Sequence, residues 1–236
     1  MSAWFRAPAA PSAPLSTALE EGVSQWRALA QTPSAAPLST ARFAVVDIET
    51  TGLDTRRDQV LALGAVMVER GAIAISDSFY RVVKQAAPSS SDNILIHRIG
   101  GEAQVAGVDA ALALTEFLRF VGKTPLVAFH APFDAAMLSR ACESHLRFKF
   151  AEPWLDLAAL APALMRDARV AHGRDAGLDR WLAALGLRVA RRHHALSDAL
   201  ATAQLLQAVL ARCPRENVHD LAALRKLAGG QRWLGH

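Results

Sequence analysis

Asp47 and Glu49 stand two residues apart in Phe43-Ala44-Val45-Val46-Asp47-Ile48-Glu49-Thr50-Thr51-Gly52-Leu53. The run up to Ile48 is apolar and β-branched, which predicts a buried strand over 42–48. Residues i and i+2 of a strand share a face, so both carboxylates should leave the core together. Burying two such ions without compensation is costly, and a divalent cation between them is the simplest remedy. The competing reading is an ordinary strand end whose acids are merely solvated. Thr50-Thr51-Gly52 then makes a small polar turn that a ligand can approach closely.

Two further clusters carry residues of the same chemistry. In Leu126-Val127-Ala128-Phe129-His130-Ala131-Pro132-Phe133-Asp134 a short strand runs into a helix near Pro132. Alone, Asp134 reads as a carboxylate serving the helix dipole before it reads as a catalytic one, and His130 as a structural histidine before a ligand. In Arg191-Arg192-His193-His194-Ala195-Leu196-Ser197-Asp198 the apolar spacing from Leu196 to Leu210 predicts a helix. That places Asp198 in its first turn and His193 in the loop before it. Each again has an unremarkable reading alone, as a dipole carboxylate and a solvated loop residue.

In this order, Asp-x-Glu-Thr-Thr-Gly-Leu, Ala-Pro-Phe-Asp and His-x-Ala-x-x-Asp-Ala resemble the three exonuclease motifs of the DnaQ-like 3′–5′ exonucleases, DEDDh subgroup. The proofreading epsilon subunit of bacterial DNA polymerase III belongs to that family. The resemblance spans roughly residues 41–212. It implies an acidic set of Asp47, Glu49, Asp134 and Asp198, with His193 as the histidine. It implies contact with the terminal nucleotide from Thr51, Gly52 and Leu53, and from His97, His130 and Phe133 nearby. His97 and Asp156 stand open between a supporting role at the site and a purely structural one. The chain departs from many relatives at Phe129-His130, where they carry His-Asn, and at Gly100-Gly101, where they carry Ile-Thr.

The implied chemistry suits these residue types. Phosphodiester hydrolysis needs an activated water, neutralised phosphoryl charge and help for the leaving 3′ oxygen. Two divalent ions about 3.5–4 Å apart provide these, and carboxylates suit hard ions such as Mg²⁺ or Mn²⁺. Asp47 is expected to bridge both ions, Glu49 and Asp198 to complete the site of the ion nearer the attacking water, and Asp134 to hold the second ion through water. His193 is expected to be the general base, since an unperturbed imidazole titrates at about pH 6.5.

Composition sets bounds. The chain has 236 residues, 52% of them apolar, enough for one substantial α/β domain. Its net charge of +4 favours a polyanionic partner without proving one. Arg188, Arg191 and Arg192 before His193, and Arg56 and Arg57 after the first strand, are expected to flank the site; a solvated basic face is the alternative. Cys142 and Cys213 form no metal-like pair or disulfide framework, and no signal-peptide core or membrane-length apolar run is present, which points to the cytoplasm.

The fold class expected is α/β: a ribonuclease-H-like mixed sheet flanked by helices, with an N-terminal helical extension. Strands are predicted at 42–48, 59–69, 72–83 and 125–129, and helices at 109–121 and 133–146. A turn at Glu69-Arg70-Gly71 should close a hairpin. Residues 1–40 read as a flexible Ala/Pro-rich extension with one helix over 14–30, 41–212 as the exonuclease domain, and 213–236 as a helical tail. His219-Asp220 matches the dipeptide of HD-type phosphohydrolases but lacks their further ligands, so a loop and helix cap is preferred. Two functions remain: a metal-dependent exonuclease, or a nucleic-acid-binding or assembly module on the same fold. The five convergent ionisable groups favour the enzyme. Thr50-Thr51-Gly52, where the oligoribonuclease branch has Met-Thr-Gly, favours the 3′ end of single-stranded DNA over RNA. The 24 residues after Arg212, ending near Gln231-Arg232-Trp233-Leu234, match a clamp-binding peptide poorly. A stand-alone or repair enzyme is therefore expected, with polymerase association left open and the 14–30 helix a candidate homodimer surface.

Overall fold

The computed structural model describes residues 15–166, 177–189 and 191–230. The Ala/Pro-rich start of the chain and the Gln231–Leu234 peptide lie outside the described residues. Five strands form one sheet: β1 (Arg42–Thr50), β2 (Val60–Glu69), β3 (Ala72–Val82), β4 (Leu126–Ala128) and β5 (Trp154–Asp156), in the order β3-β2-β1-β4-β5. β1–β2 and β2–β3 pair antiparallel, while β1–β4 and β4–β5 pair parallel. Strands buried on both faces read as continuous apolar runs, which is why β1 and β2 are so rich in Val, Leu and Ala.

The β2–β3 hairpin turns at Arg70 and Gly71, both at positive φ (52° and 74°). That two-residue geometry matches the twist of paired strands, and Gly71 reaches it without strain.

β1 divides the core by parity. Ala44, Val46 and Ile48 face α4 (Ala110–Val121) and α5 (Ala131–Leu146), whose Phe117, Leu118, Met137 and Leu138 are buried against them. Phe43 and Val45 face α6 (Leu157–Leu164), α7 (Leu178–Ala184), α8 (Ala195–Arg212) and α9 (Leu221–Gly230). Asp47 and Glu49 continue this second row. Two short helices, α2 (Ser91–His97) and α3 (Gly101–Val105), link β3 to α4.

Where it is described, the segment read as a flexible extension is anchored to the rest of the fold at several points. α1 (Thr17–Ala28) buries Val23 and Trp26 against α4 and the Phe148–Phe150 stretch. Trp26 stacks on Phe150 at 5.6 Å and donates its Nε1–H to the Gly122 carbonyl at 2.7 Å. Trp26, on the helix expected as a candidate homodimer surface, is thus buried within the chain, while Leu29 at its end stays half-exposed. Residues 31–40 are pinned as well: Leu38 N–H donates to the His219 carbonyl at 2.9 Å, and Ala222 N–H to that of Ser34 at 2.8 Å. His219-Asp220 is a loop and cap, with the Asp220 carboxylate accepting from Ala223 N–H at 2.8 Å.

Candidate active site

The site forms at the C-terminal end of β1, where three elements deliver their acids. β1 supplies Asp47 and Glu49. Its ladder with β2 shifts register between Glu49 and Thr50, which leaves Leu61 as the extra residue of a bulge. Bulges re-aim side chains beside functional clefts.

α8 supplies Asp198 from its first turn, and it approaches closely because Gly64 lies beneath it. Gly64 pairs with Asp47 across the β1–β2 ladder. A Cβ on Gly64 would sit 2.2 Å from the carbonyl carbon of Ala195, the first residue of α8. His193 precedes the helix at φ 59°, and its backbone N–H donates to Asp198 Oδ2 at 2.9 Å. The His194 ring stacks on Tyr80 at 4.6 Å, tying the same turn to β3.

α5 supplies Asp134 from its first turn. Its carboxyl accepts the backbone N–H groups of Ile48 and of Asp134 itself. Asp156 steadies this corner: one oxygen accepts from His130 N–H (3.0 Å), Ala131 N–H (3.3 Å) and Ala158 N–H (3.0 Å). It therefore caps α6 and holds the start of α5. His97, at the end of α2, pairs through Nδ1 with Glu49 Oε2.

A cleft of roughly 580 Å³ opens over these groups. It is lined by Asp47, Glu49, Asp134 and Asp198, with Leu53, Phe129, His130, Phe133, Asp179, Arg192 and His193 around them. Glu49, Asp134 and Asp198 are buried, and Asp47 is partly open. Leu53 is 85% exposed and offers a bare apolar surface at the rim.

The electrostatics are those of a site short of positive charge. Burial, then Asp134, Glu49 and Asp198, push the Asp47 carboxyl well above the usual carboxylate range, against the pull of Arg192. Burial does the same to Asp134, opposed by its backbone donors and reinforced by Asp156 and Glu49. Asp198 is raised by burial, with Arg192 and His193 N–H opposing. One ligand oxygen from each of Asp47, Glu49 and Asp198 lies within 4.8 Å of the others. Glu49 Oε1 is buried without a hydrogen-bond partner. A buried carboxylate with an orphaned oxygen, clustered with two more carboxylates, fits a hard divalent cation. Asp134 stands outside that tight triplet, though its charge reaches Asp47.

Structure and sequence part company around this core. Thr51 and Gly52 do not line the cleft. Thr51 Oγ1 donates to Asp58 Oδ1 at 2.8 Å and accepts from Gln59 N–H at 2.9 Å, which clips the turn that presents Leu53. A Cβ on Gly52 would meet Asp58 Oδ2 at 2.5 Å, so this glycine makes room for a neighbouring carboxylate. Of the basic residues expected to flank the site, Arg192 lines the cleft; Arg56, Arg57, Arg188 and Arg191 are exposed outside that lining. Sequence reasoning missed Asp179, Asn93 and Gly64. Asn93, buried in α2, donates to the Thr50 carbonyl at 2.9 Å and ties that helix to the end of β1.

Residues 44–206 match the exonuclease family model, RNase T type. The chain belongs to the exonuclease family. Among curated relatives, the PolC-type DNA polymerase III of Thermotoga maritima is 30% identical over 187 residues, covering 79% of this chain and 13% of the polymerase. That of Thermotoga petrophila is 33% identical over 165 residues, covering 70% and 12%. The chain thus spans about an eighth of the length of the polymerases it matches. E. coli exonuclease I, solved in complex with a dT13 oligonucleotide, shares the fold at a TM-score of 0.63 and 19% identity, covering 75% of this chain and 42% of that one. The cell-death related nuclease CRN-4 shares it at 0.63 and 14%, covering 73% and 64%. The exonuclease motifs and the ribonuclease-H-like sheet read from sequence are both borne out.

Proposed function

We propose that this exonuclease removes nucleoside monophosphates from the 3′ end of single-stranded DNA. Asp47, Glu49, Asp134 and Asp198 hold two divalent ions, Mg²⁺ or Mn²⁺, and His193 is the general base. The observation that carries this reading is the Asp47–Glu49–Asp198 triplet with its orphaned Glu49 oxygen, in one cleft with Asp134 and His193.

When bound, the ions supply acidification of water and neutralisation of phosphoryl charge. The remaining work falls to the chain. His193 is exposed at the cleft, and its backbone is fixed on Asp198 while its ring, edge-on to that of His97, accepts the proton of the attacking water. His97 fixes Glu49 by pairing with one of its oxygens and leaves the other for the site. Leu53, Phe133 and His130 provide the apolar and ring surfaces against which a terminal base and sugar can pack.

DNA is favoured over RNA because the relatives are DNA polymerases and exonuclease I was solved with a DNA oligonucleotide. The same relatives make proofreading beside a polymerase the natural extension, which co-purification would reveal. Cys142 and Cys213 are free and buried, in keeping with a reducing cytoplasm.

Chromatography of products tests the activity. With Mn²⁺, the wild type should release nucleoside 5′-monophosphates from an oligodeoxynucleotide. Asp47→Asn should release none, and His193→Gln should lose about 10²–10⁴-fold in rate at saturating metal. Full rate in His193→Gln would remove His193 from the mechanism.

A further inference from the structure

Arg192 occupies a position that the reaction as described gives no use. It lies in the cleft beside the carboxylates. Its Nη1 pairs with Asp198 Oδ1, and its Nε donates to Asp179 Oδ1 at 2.5 Å. Asp198 Oδ2 is already taken by His193 N–H. Both oxygens of a proposed metal ligand are therefore engaged, one of them by a side-chain cation.

The two contacts of this guanidinium differ in kind. The bond to Asp179 is an aligned hydrogen bond to a carboxylate that is 70% exposed. The contact with Asp198 is a buried ion pair, in which Arg192 Nη1 meets Asp198 Oδ1 at a carboxylate clustered with those of Asp47 and Glu49. A single monovalent cation beside three clustered carboxylates is a placeholder that a better cation can evict. A divalent ion carries twice the charge and accepts carboxylate oxygens in flexible geometry. Arg192 would then be left tethered at Asp179 with free donors in a cleft open to solvent. A planar guanidinium with free donors is well suited to phosphate.

We propose that Arg192 is a resident counter-cation for the carboxylate cluster, which a divalent ion displaces from Asp198, and that the released guanidinium, held by Asp179, binds a phosphate of the substrate strand. This rests on the metal-dependent reading of the site above. Two consequences follow from linkage. Arg192 weakens metal binding in the free protein. A ligand phosphate that engages Arg192 strengthens metal binding, and metal strengthens phosphate binding by the same factor.

Calorimetric titration of Mn²⁺ into metal-stripped protein tests this without turnover. Arg192→Gln should bind Mn²⁺ about five- to tenfold tighter than wild type, the scale expected on removing one competing charge-assisted contact. Arg191→Gln changes the net charge equally at an exposed neighbour and should stay within about twofold. Thymidine 5′-monophosphate should tighten Mn²⁺ binding in wild type and not in Arg192→Gln. Arg192→Lys keeps the charge but cannot reach both carboxylates with a fork, so it should fall between the two. It also serves as the test should the glutamine variant fold poorly. Equal Mn²⁺ affinity in Arg192→Gln and Arg191→Gln, or equal coupling to the nucleotide in wild type and Arg192→Gln, would overturn the proposal while leaving the metal site intact. No Mn²⁺ binding by wild type with or without nucleotide would overturn the metal site itself, and the proposal with it.

Discussion

Gly64 and Ala195 meet backbone to backbone: a Cβ on Gly64 would lie 2.2 Å from the carbonyl carbon of Ala195. Because Gly64 is the ladder partner of Asp47, this contact sets how near the start of α8, with His193 and Asp198, comes to the acids of β1. Gly64→Ala should destabilise the protein by about 1–3 kcal/mol through overpacking. It should also lower activity about 100-fold, since small displacements of catalytic groups are that costly. Urea denaturation and the product assay measure the two effects. A variant with wild-type activity would show that α8 has slack.

The acidic cluster makes the stability of the metal-free protein depend on pH. Burial and mutual repulsion raise the Asp47 carboxyl in the folded state, so the native protein holds this proton more tightly than the unfolded chain. Its contribution is present below the unfolded value of about 3.9 and is lost as pH rises through the raised folded value. In EDTA, Asp47→Asn should therefore melt higher than wild type at neutral pH, by about 2–4 °C for each 1 kcal/mol recovered. The advantage should shrink as the pH is lowered toward 4, and Mg²⁺ or Mn²⁺ should raise the wild-type melting temperature selectively. Thermal melts across pH check this, and an Asp47→Asn curve parallel to wild type would contradict it.

The N-terminal helix is part of the fold. Trp26 is 4% exposed, bonds to Gly122, and has Lys123 Nζ 3.3 Å from its ring centroid. Trp26→Ala should cost about 3–5 kcal/mol, whereas Leu29→Ala, at a half-exposed position, should stay within about 0.5 kcal/mol. Denaturant midpoints for both variants decide whether α1 is integral or appended.

The sequence made local features legible and hid those that depend on distant partners. The i, i+2 spacing of Asp47 and Glu49 on a predicted strand showed that the two acids share a face, because strand periodicity is a property of neighbouring residues. The hairpin at Arg70-Gly71 and the cap at Asp220 were visible for the same reason. Gly64 was not, because a glycine inside an apolar run does not announce that a helix crosses it from 131 residues further along. Arg192 could be placed near the site as one of several basic residues, but its pairing with Asp179 and Asp198 depends on a loop path that spacing does not encode. Thr51 and Gly52 were assigned to substrate, although their immediate partner is Asp58, only a few residues away. Composition over 31–40 likewise gave no sign that the backbone of Ser34, Ala36 and Leu38 hydrogen-bonds to His219, Leu221 and Ala222, although its Pro and Ser residues are exposed.

The most direct test of the central claim is a gel assay on single-stranded DNA and RNA of equal sequence, each labelled at its 5′ end. It would be run with Mg²⁺, with Mn²⁺ and with EDTA, beside Asp47→Ala. The account predicts a metal-dependent ladder shortening from the 3′ end, faster on DNA, and absent in EDTA and in the variant. Immediate release of a labelled mononucleotide would reverse the polarity, and intact substrate with either metal would contradict the account.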